Sequence, residues 1–456
     1  MLALLHRSLM DGLLRREGRR GLTGHLRELR DNEYLPPEAL AGLQLDRLRR
    51  LLIHARDHCP FYTARFAACG FVPEQMTAAA DLAAVPPLTK HDIREHLDRM
   101  VARNLAPEDL HESVSGGTTG HVLKFKRDNA CLARKEAAVF RFEQWAGWDF
   151  GQWIGFVWPA IMDHADADTP KARLRNWLGP RGQFLPFLSE DPQQIRTVWL
   201  RFVKHRITLL RAFPGALMSV ARLVEAEDLP RPPLRAVVST GEMLRPDQRA
   251  FFTRVFGCPV LDAYRSREMG PVAQQCERLG PMHIRADMTF VEVDASRAVD
   301  GGPGQPPVGP LLLTDLFNYG MPLIRYEVGD LAALVPGACG CGRTLPLMVS
   351  PGGRLTDVLY TVDRRPLASV GLLPNFINLC EAGNQVQLVQ QDWTRLLMRL
   401  TPPRLDEATL GRLRERAVEI FGQGIELAFE YVDEIPLLPS GKYRLLVCEI
   451  PDRERP

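Results

Sequence analysis

Between residues 205 and 264 the apolar positions change period several times. Residues 207–213 (ITLLRAF) form a short apolar run and predict a strand. The following PGALMSVARLVEA places Leu217, Val220, Leu223 and Val224 on one helical face. Residues 234–240 (LRAVVST) are a second apolar run ending in a turn, and RPDQRAFFTRVFG opens with Pro246 and closes with Gly257, the asymmetry a helix prefers. Residues 258–264 (CPVLDAY) predict a third strand. Strands alternating with helices imply crossover units and a mainly parallel sheet. Right-handed crossovers then bring the loops STGE (239–242) and YRSRE (264–268) to one carboxyl edge, where ligands bind in open α/β folds.

Upstream, residues 1 to about 110 read as mostly helical, with Leu and Arg at helical spacing in QLDRLRRLLIHARDH. In PPLTKHDIREHLDRM, Thr89 is the N-cap candidate and Asp92 follows three residues later. Downstream, residues 288–294 and 309–316 predict further strands, with the Gly/Pro-rich stretch 300–309 as a turn-rich excursion. The pattern resets near residue 355: QVQLVQ and RLLMRLT predict a strand pair, and DEATLGRLRERAVEIFG an amphipathic helix bearing Leu410, Leu413, Ala417 and Phe421. IELAFEYV and LLVCEI complete a small unit. The expected fold class is α/β: a large N-terminal domain (1–355) with mainly parallel sheets and helices, and a small C-terminal α+β domain (356–456).

Composition changes little in this picture but excludes several classes. A net charge of +2 provides no field for nucleic acid. No apolar run approaches the roughly 18 residues of a membrane span, which argues against stable membrane insertion. The first residues carry Leu2, Leu4, Leu5, Leu9, Leu13 and Leu14 with Arg between and after them. That order suits an amphipathic surface helix rather than a signal peptide, so a cytoplasmic location is expected. Nine Cys in a chain this long point to reduced thiols or a metal site rather than a disulfide framework.

The candidate chemistry starts at SVSGGTTGHVLKF (113–125), where small hydroxyl residues and glycines crowd together. Glycine lets backbone N–H groups turn toward an anion, and Ser/Thr hydroxyls add donors without bulk. The same composition also suits an ordinary surface turn. Ser115, Gly116, Gly117, Thr118, Thr119 and Gly120 resemble the phosphate loop of the adenylate-forming superfamily, which holds acyl-CoA synthetases, peptide-synthetase adenylation domains and luciferases. Five further segments resemble family motifs in the family's order. These are STGE (239–242), Tyr264 to Glu268, TDLFNYGMPLIRYEVGD (314–330), GGRLTD (352–357) and LLPSGKYR (437–444). PLIRYxxGD, the LKF after the phosphate loop and the SRE ending are similar to the phenylacetate–CoA ligase and CapK-like branch.

The resemblance implies roles residue by residue. Ser115, Thr118 and Thr119 would hold phosphates of ATP; Gly241, Glu242 and Tyr264 would line the adenine pocket; Asp330 would accept the ribose hydroxyls. Glu268 would hold Mg²⁺, an oxygen-ligand task. Arg325 and Arg354 would be cations near phosphate and ribose, and Lys442 would reach the α-phosphate and the substrate carboxylate. Each has a plain alternative: a surface Glu, a rim aromatic, a turn Asp, structural salt bridges, a solvated Lys. The chain also departs from the family pattern. His121 follows the phosphate loop, the usual downstream Pro is absent, and Lys124 is the nearest cation. Arg265 stands where Gly is frequent after the Tyr, Arg267 where Thr is common in distant relatives, and Thr356 where the hinge often has Asp.

Cys339-Gly-Cys341 followed by Gly-Arg resembles a segment of phenylacetate–CoA ligase relatives, some of which bind structural zinc with an upstream Cys and His. Cys276 and His283 would complete a Cys₃His set of the kind Zn²⁺ favours; buried reduced thiols are the alternative.

The implied activity is ATP- and Mg²⁺-dependent conversion of a carboxylic acid, aromatic or otherwise bulky, to its acyl-AMP and then to a coenzyme A thioester. Residues 213–216 (FPGA) and Gly241 would line the acyl pocket. An amine, a hydroxyl or a carrier-protein thiol is the alternative acceptor, a non-catalytic nucleotide- or acyl-binding relative is the alternative class, and a homodimer is compatible with either.

Overall fold

A computed structural model describes residues 2–16, 21–115, 123–158, 181–186, 191–298, 306–349, 359–367, 385–435 and 446–451. The region up to Met100 is mostly helical as the Leu/Arg spacing predicts: Leu2–Arg16, Leu22–Asn32, Pro37–His58, Pro60–Cys69 and Lys90–Met100. Thr89 caps the last of these. Its Oγ1 accepts from the Asp92 N–H at 3.1 Å, and Asp92 Oδ2 accepts from the Thr89 N–H at 2.9 Å, a reciprocal box. The first helix departs from its leucine pattern. Among its described side chains, His6, Met10 and Asp11 are buried, while Leu5 and Leu9 remain 59% and 43% exposed.

A hairpin of β1 (Leu110–Ser115) and β2 (Leu123–Asp128) precedes the main sheet. That sheet is built from β3 (Ile154–Trp158), β4 (Gly182–Pro186), β5 (Leu209–Ala212), β6 (Ala236–Thr240) and β7 (Val260–Ser266). It continues through β8 (Gly270–Gln274), β9 (Met282–Ile284), β10 (Thr289–Val293), β11 (Gly309–Asp315), β12 (Tyr326–Val335) and β13 (Leu347–Val349). Among the described residues the order is β10-β11-β12-β13-β9-β8-β7-β6-β5-β3-β4. The expected parallel crossovers hold for β4-β3-β5-β6-β7. From β7 to β10 every pair is antiparallel, which corrects the expectation of a mainly parallel sheet to a mixed one. The reason lies in the connections. Parallel neighbours need a crossover of a dozen residues or more, and no helix of that length falls between residues 266 and 349 in the described segments.

Both faces of the parallel half are covered. Helices Pro192–Lys204, Pro214–Ala226 and Pro246–Phe256 bury Trp199, Phe202, Leu217, Val220 and Phe252 against Val157, Leu210 and Val237. Helix Asn129–Trp145 and the N-terminal helices pack Ala137, Ala138, Phe140 and Leu26 against Ile154, Leu209, Val238 and Leu261 on the other face. The C-terminal residues carry their own core. β16 (Val386–Gln390) and β17 (Arg395–Leu400) are the antiparallel pair the pattern predicts; β18 (Glu426–Tyr431) and β19 (Leu446–Cys448) add parallel at either side. A two-stranded piece, β14 (Leu359–Tyr360) with β15 (Pro366–Leu367), precedes them. Helix Glu407–Phe421 buries Leu410, Leu413, Ala417 and Phe421, and Met243 of the large body packs against this core.

Helix Asn129–Trp145 is anchored by charge. The Arg141 guanidinium is fully buried; Nη1 donates to Asp287 Oδ2 at 2.8 Å and Nη2 to Oδ1 at 3.1 Å. Nη1 also donates to the Leu29 carbonyl at 2.9 Å, and Asn32 Nδ2 to Asp287 Oδ2 at 3.4 Å. Removing one partner of such a pair strands the other charge in the interior. Arg141→Met is therefore expected to lower unfolding free energy by about 3–5 kcal/mol in urea titrations, whereas the exposed Arg30→Met costs less than about 1 kcal/mol. Equal effects at the two positions would remove Arg141 from this anchoring role.

Candidate active site

The carboxyl ends of the parallel neighbours β6 and β7 lie side by side, as their crossover connection requires. β6 runs directly into Gly241, whose φ of 84° lies in the left-handed region. A Cβ at this position would also overlap the Phe213 ring, so only glycine fits. Glu242 Oε2 accepts from the Gly215 N–H at 2.9 Å, which ties the STGE loop to the FPGA turn. Trp158 stands edge-on to Phe213 with centroids 4.6 Å apart. Gly241 and Phe213, both expected at the acyl pocket, are thus in direct contact. The Ser239 and Thr240 hydroxyls at the end of β6 are buried and have no hydrogen-bond partner among the described residues. Such groups are uncommon in a closed core and suit an edge that receives a polar ligand.

β7 supplies the second loop. Its register with β8 shifts between Tyr264 and Arg265, the kind of irregularity that re-aims side chains. Tyr264 donates its hydroxyl to Asp330 Oδ2 at 2.6 Å. Tyr326 donates to Glu268 Oε1 at 3.1 Å. Lys135 Nζ donates to the Glu268 carbonyl at 2.8 Å and pairs with Asp315 at 2.6 Å. Burial, with Glu268 beside it, raises the Tyr326 phenol above its ordinary range and keeps it a donor. Gly241, Glu242, Tyr264, Glu268 and Asp330 therefore come from three strands to one edge of the sheet.

Other expected site residues fall differently. Ser115 closes β1, while Gly116, Gly117, Thr118, Thr119, Gly120, Arg354, Thr356 and Lys442 lie outside the described residues. Lys124 pairs with Glu112 across the hairpin at 3.1 Å. Arg325 is a correction. Its Nε donates to both Glu292 oxygens, at 3.1 and 3.2 Å, and its Nη1 to the carbonyls of Ala83 (3.0 Å) and Val85. These donors hold the N-terminal helices to the sheet, so Arg325 is structural rather than a phosphate-facing cation. Three neighbours of the site were not singled out by the sequence patterns: Tyr326, Lys135 and Lys90. Tyr326 sits inside PLIRYEVGD, where a hydroxyl-bearing aromatic four residues before Asp330 was the available signal. Lys90 reaches Gly329, next to Asp330, because Leu88 bridges Tyr326 as an extra strand-like residue. No linear signal marks that contact.

The sulfur cluster is assembled between two neighbouring connections. Cys276 follows β8, His283 lies in β9, and Cys339 and Cys341 lie in the link between β12 and β13. The four ligand atoms all lie within 4.8 Å of one another, with Cys276 Sγ 3.6 Å from Cys339 Sγ and Cys341 Sγ 3.4 Å from His283 Nε2. Zn²⁺ bonds of about 2.0–2.3 Å in a tetrahedron place ligand atoms about 3.3–3.8 Å apart, so the donor set fits that ion. Burial, with Arg343 nearby, pushes the His283 imidazole down to about 4, leaving it neutral as a ligand must be. Burial pushes the Cys276 thiol up to about 12. At Cys341 burial is outweighed by hydrogen bonds with Arg343, which lower the thiol.

Comparison with known proteins agrees with this geometry. Residues 359–449 match the family model described as the CapK C-terminal domain. A phenylacetate–coenzyme A ligase of Thermus thermophilus is 28% identical over 349 residues, 72% of this chain and 73% of the relative. Protein CapK of Staphylococcus aureus is 21% identical over 90% of each chain. The solved structure of 2-hydroxyisobutyryl-CoA ligase in the postadenylation state with 2-HIB-AMP superimposes with a TM-score of 0.73 at 20% identity, covering 92% of this chain and 91% of that one; this likeness establishes the fold. The chain is thus similar in sequence to phenylacetate–CoA ligases and to CapK, and it shares the fold of a solved acyl-CoA ligase.

Proposed function

We propose that the protein activates a carboxylic acid with ATP, releasing pyrophosphate, and transfers the acyl group from acyl-AMP to the thiol of coenzyme A. The observation that carries this reading is the joining of Tyr264 to Asp330 and of Tyr326 to Glu268 at one carboxyl edge. Tyr264 offers a ring for adenine while its hydroxyl positions Asp330 to accept the ribose hydroxyls. Glu268, fixed by Tyr326 and through its carbonyl by Lys135, suits a hard divalent cation that neutralises phosphate charge when bound. Gly241 keeps the loop open beside Phe213, where the acid would lie, and an aromatic acid suits the Phe213 and Trp158 rings. Both half-reactions crowd negative charge, so positioned donors and cations contribute more than a protein nucleophile.

Lys442 and the phosphate loop Ser115 to Gly120 are assigned to the first half-reaction, with Arg354 as the cation near ribose. The division at about residue 355 would let residues 356–456 present Lys442 for adenylation and then turn away for thiolation, as related enzymes do. Zinc at Cys276, His283, Cys339 and Cys341 is proposed as structural. We also place the protein in the cytoplasm; within the described residues no helix is long and apolar enough to cross a membrane. Coenzyme A is the assigned acceptor and a homodimer the assembly to examine first. The second reading is transfer to an amine, a hydroxyl or a carrier-protein thiol.

Acid-dependent ATP–pyrophosphate exchange is expected with a panel of aryl and alkyl acids, and silence across the panel would refute adenylation. Lys442→Ala should reduce exchange about 10²–10³-fold while sparing thiolation of supplied acyl-AMP; equal loss of both would remove Lys442 from its assignment. Product mass with and without coenzyme A separates the two acceptor readings. Protein purified without chelator is expected to carry about one zinc per chain by mass spectrometry, and Cys339→Ser to carry less than about half. Full occupancy in that variant would contradict the four-ligand set.

A further inference from the structure

A helix laid on a soluble body ordinarily buries an apolar stripe and turns its polar side to water. The first helix, Leu2–Arg16, instead turns two leucines to solvent and two polar side chains to the body. His6 and Asp11 are only 4% and 8% exposed, and His6 lies against Gly151. Between them Met10 joins the core built with Leu22, Leu26 and Trp148. On the outward side Leu5 and Leu9 stand one turn apart, so their side chains adjoin. Exposed Ser8 lies at the margin, and exposed Gly12 continues the face without a side chain to cover it.

Exposed leucines taken singly are ordinary on a soluble protein, and this pair alone would identify nothing. The charge beside them distinguishes the face. Residues 1–20 hold Arg7, Arg15, Arg16, Arg19 and Arg20 against Asp11 and Glu17, whereas the whole chain carries only +2. The positive surplus of the chain is therefore gathered in this stretch, and the remaining residues have none. Arg15 pairs with Asp11 at 2.7 Å, yet its side chain stays 63% exposed. Arg16, Arg19 and Arg20 follow in the sequence with Glu17 as the one acid among them. An apolar strip flanked by arginines is the composition of a helix that lies in the plane of a membrane interface. A second copy of the chain fits less well, because an isologous contact would bring two basic stretches together. Anionic phospholipid meets both halves of the patch: the headgroup boundary receives the leucines, and phosphate oxygens accept from the guanidiniums.

We propose that the first helix docks the protein on the surface of an anionic phospholipid membrane, with Leu5 and Leu9 entering the headgroup boundary and the arginines of residues 15–20 meeting lipid phosphates. At 15 residues the helix is too short to span the bilayer, so it lies on the surface without crossing it. The docking does not depend on the acid-activation reading, and it is tested without ATP or acid.

The test is flotation of the full chain with vesicles of phosphatidylcholine alone and of equimolar phosphatidylcholine and phosphatidylglycerol. Partition into the anionic vesicles is expected to exceed that into the neutral ones by at least about tenfold, and to weaken as salt is raised. Leu5→Ser combined with Leu9→Ser should lower the partition coefficient about tenfold, with the thermal melt unchanged because both side chains are exposed. Arg19→Gln combined with Arg20→Gln should lower it by about tenfold or more. If the serine pair lowers the melt, the arginine pair decides alone. Failure to float with either vesicle would overturn the proposal and leave the basic face to an acidic protein. Equal flotation with neutral and anionic vesicles would overturn the part assigned to the arginines. Flotation unmoved by both pairs of substitutions would place the contact elsewhere and overturn the role of this helix.

Discussion

The buried pair of Arg141 and Asp287 sets the position of the element on which most of the site depends. It ties helix Asn129–Trp145 to the turn before β10, and through the Leu29 carbonyl to helix Leu22–Asn32. One turn and a half earlier on the same helix, Lys135 reaches the Glu268 carbonyl and the Asp315 carboxylate. A rotation of the helix would withdraw both lysine contacts and shift Glu143 away from Arg211. Buried ion pairs contribute less net stability than their contact distances suggest, because both charges lose hydration. Their strength here lies in geometry: a bidentate fork admits one orientation of the helix and strongly disfavours others.

The sulfur cluster secures the far end of this helix. Trp145 stands edge-on to His283 with centroids 5.6 Å apart, and the Arg343 guanidinium lies 4.6 Å from a Trp145 ring centroid. Arg343 also donates to Glu33 Oε2 at 3.0 Å, and Trp145 Nε1 donates to Glu33 Oε1 at 3.0 Å. The chain thus draws the helix end, the N-terminal helices and the link between β12 and β13 into one network around the expected metal ligands. A structural ion at this place would stabilise the platform beneath the active edge without entering its chemistry.

The active edge itself is built largely on strands and their immediate extensions, which suits a reaction governed by positioning. Two phenol–carboxylate pairs hold Asp330 and Glu268 in place before any substrate arrives. Phe213 and Gly241 illustrate how tightly the side proposed to receive the acid is drawn: the loop can approach the ring only where no Cβ intervenes. Met243 carries the same loop on to the core of the C-terminal residues, so the STGE loop proposed to face the nucleotide also touches the domain expected to carry Lys442.

Periodicity alone determined the three crossover strands, their two helices and the common edge for STGE and YRSRE, because amphipathic helices and apolar strand runs declare themselves over a few residues. Capping at Thr89 and the αL end at Gly257 were equally local. Family motifs marked Tyr264, Glu268 and Asp330, and the CxC pair with Cys276 and His283. Tertiary structure decided what depends on partners distant in sequence. It made half of the sheet antiparallel and paired Tyr264 with Asp330 across 66 positions. It also placed Tyr326 against Glu268 and turned Arg325 into a tie between Glu292 and the N-terminal helices. An arginine reads the same in a sequence whether its fork meets a phosphate or a carboxylate of its own chain; only the packed fold chooses between them.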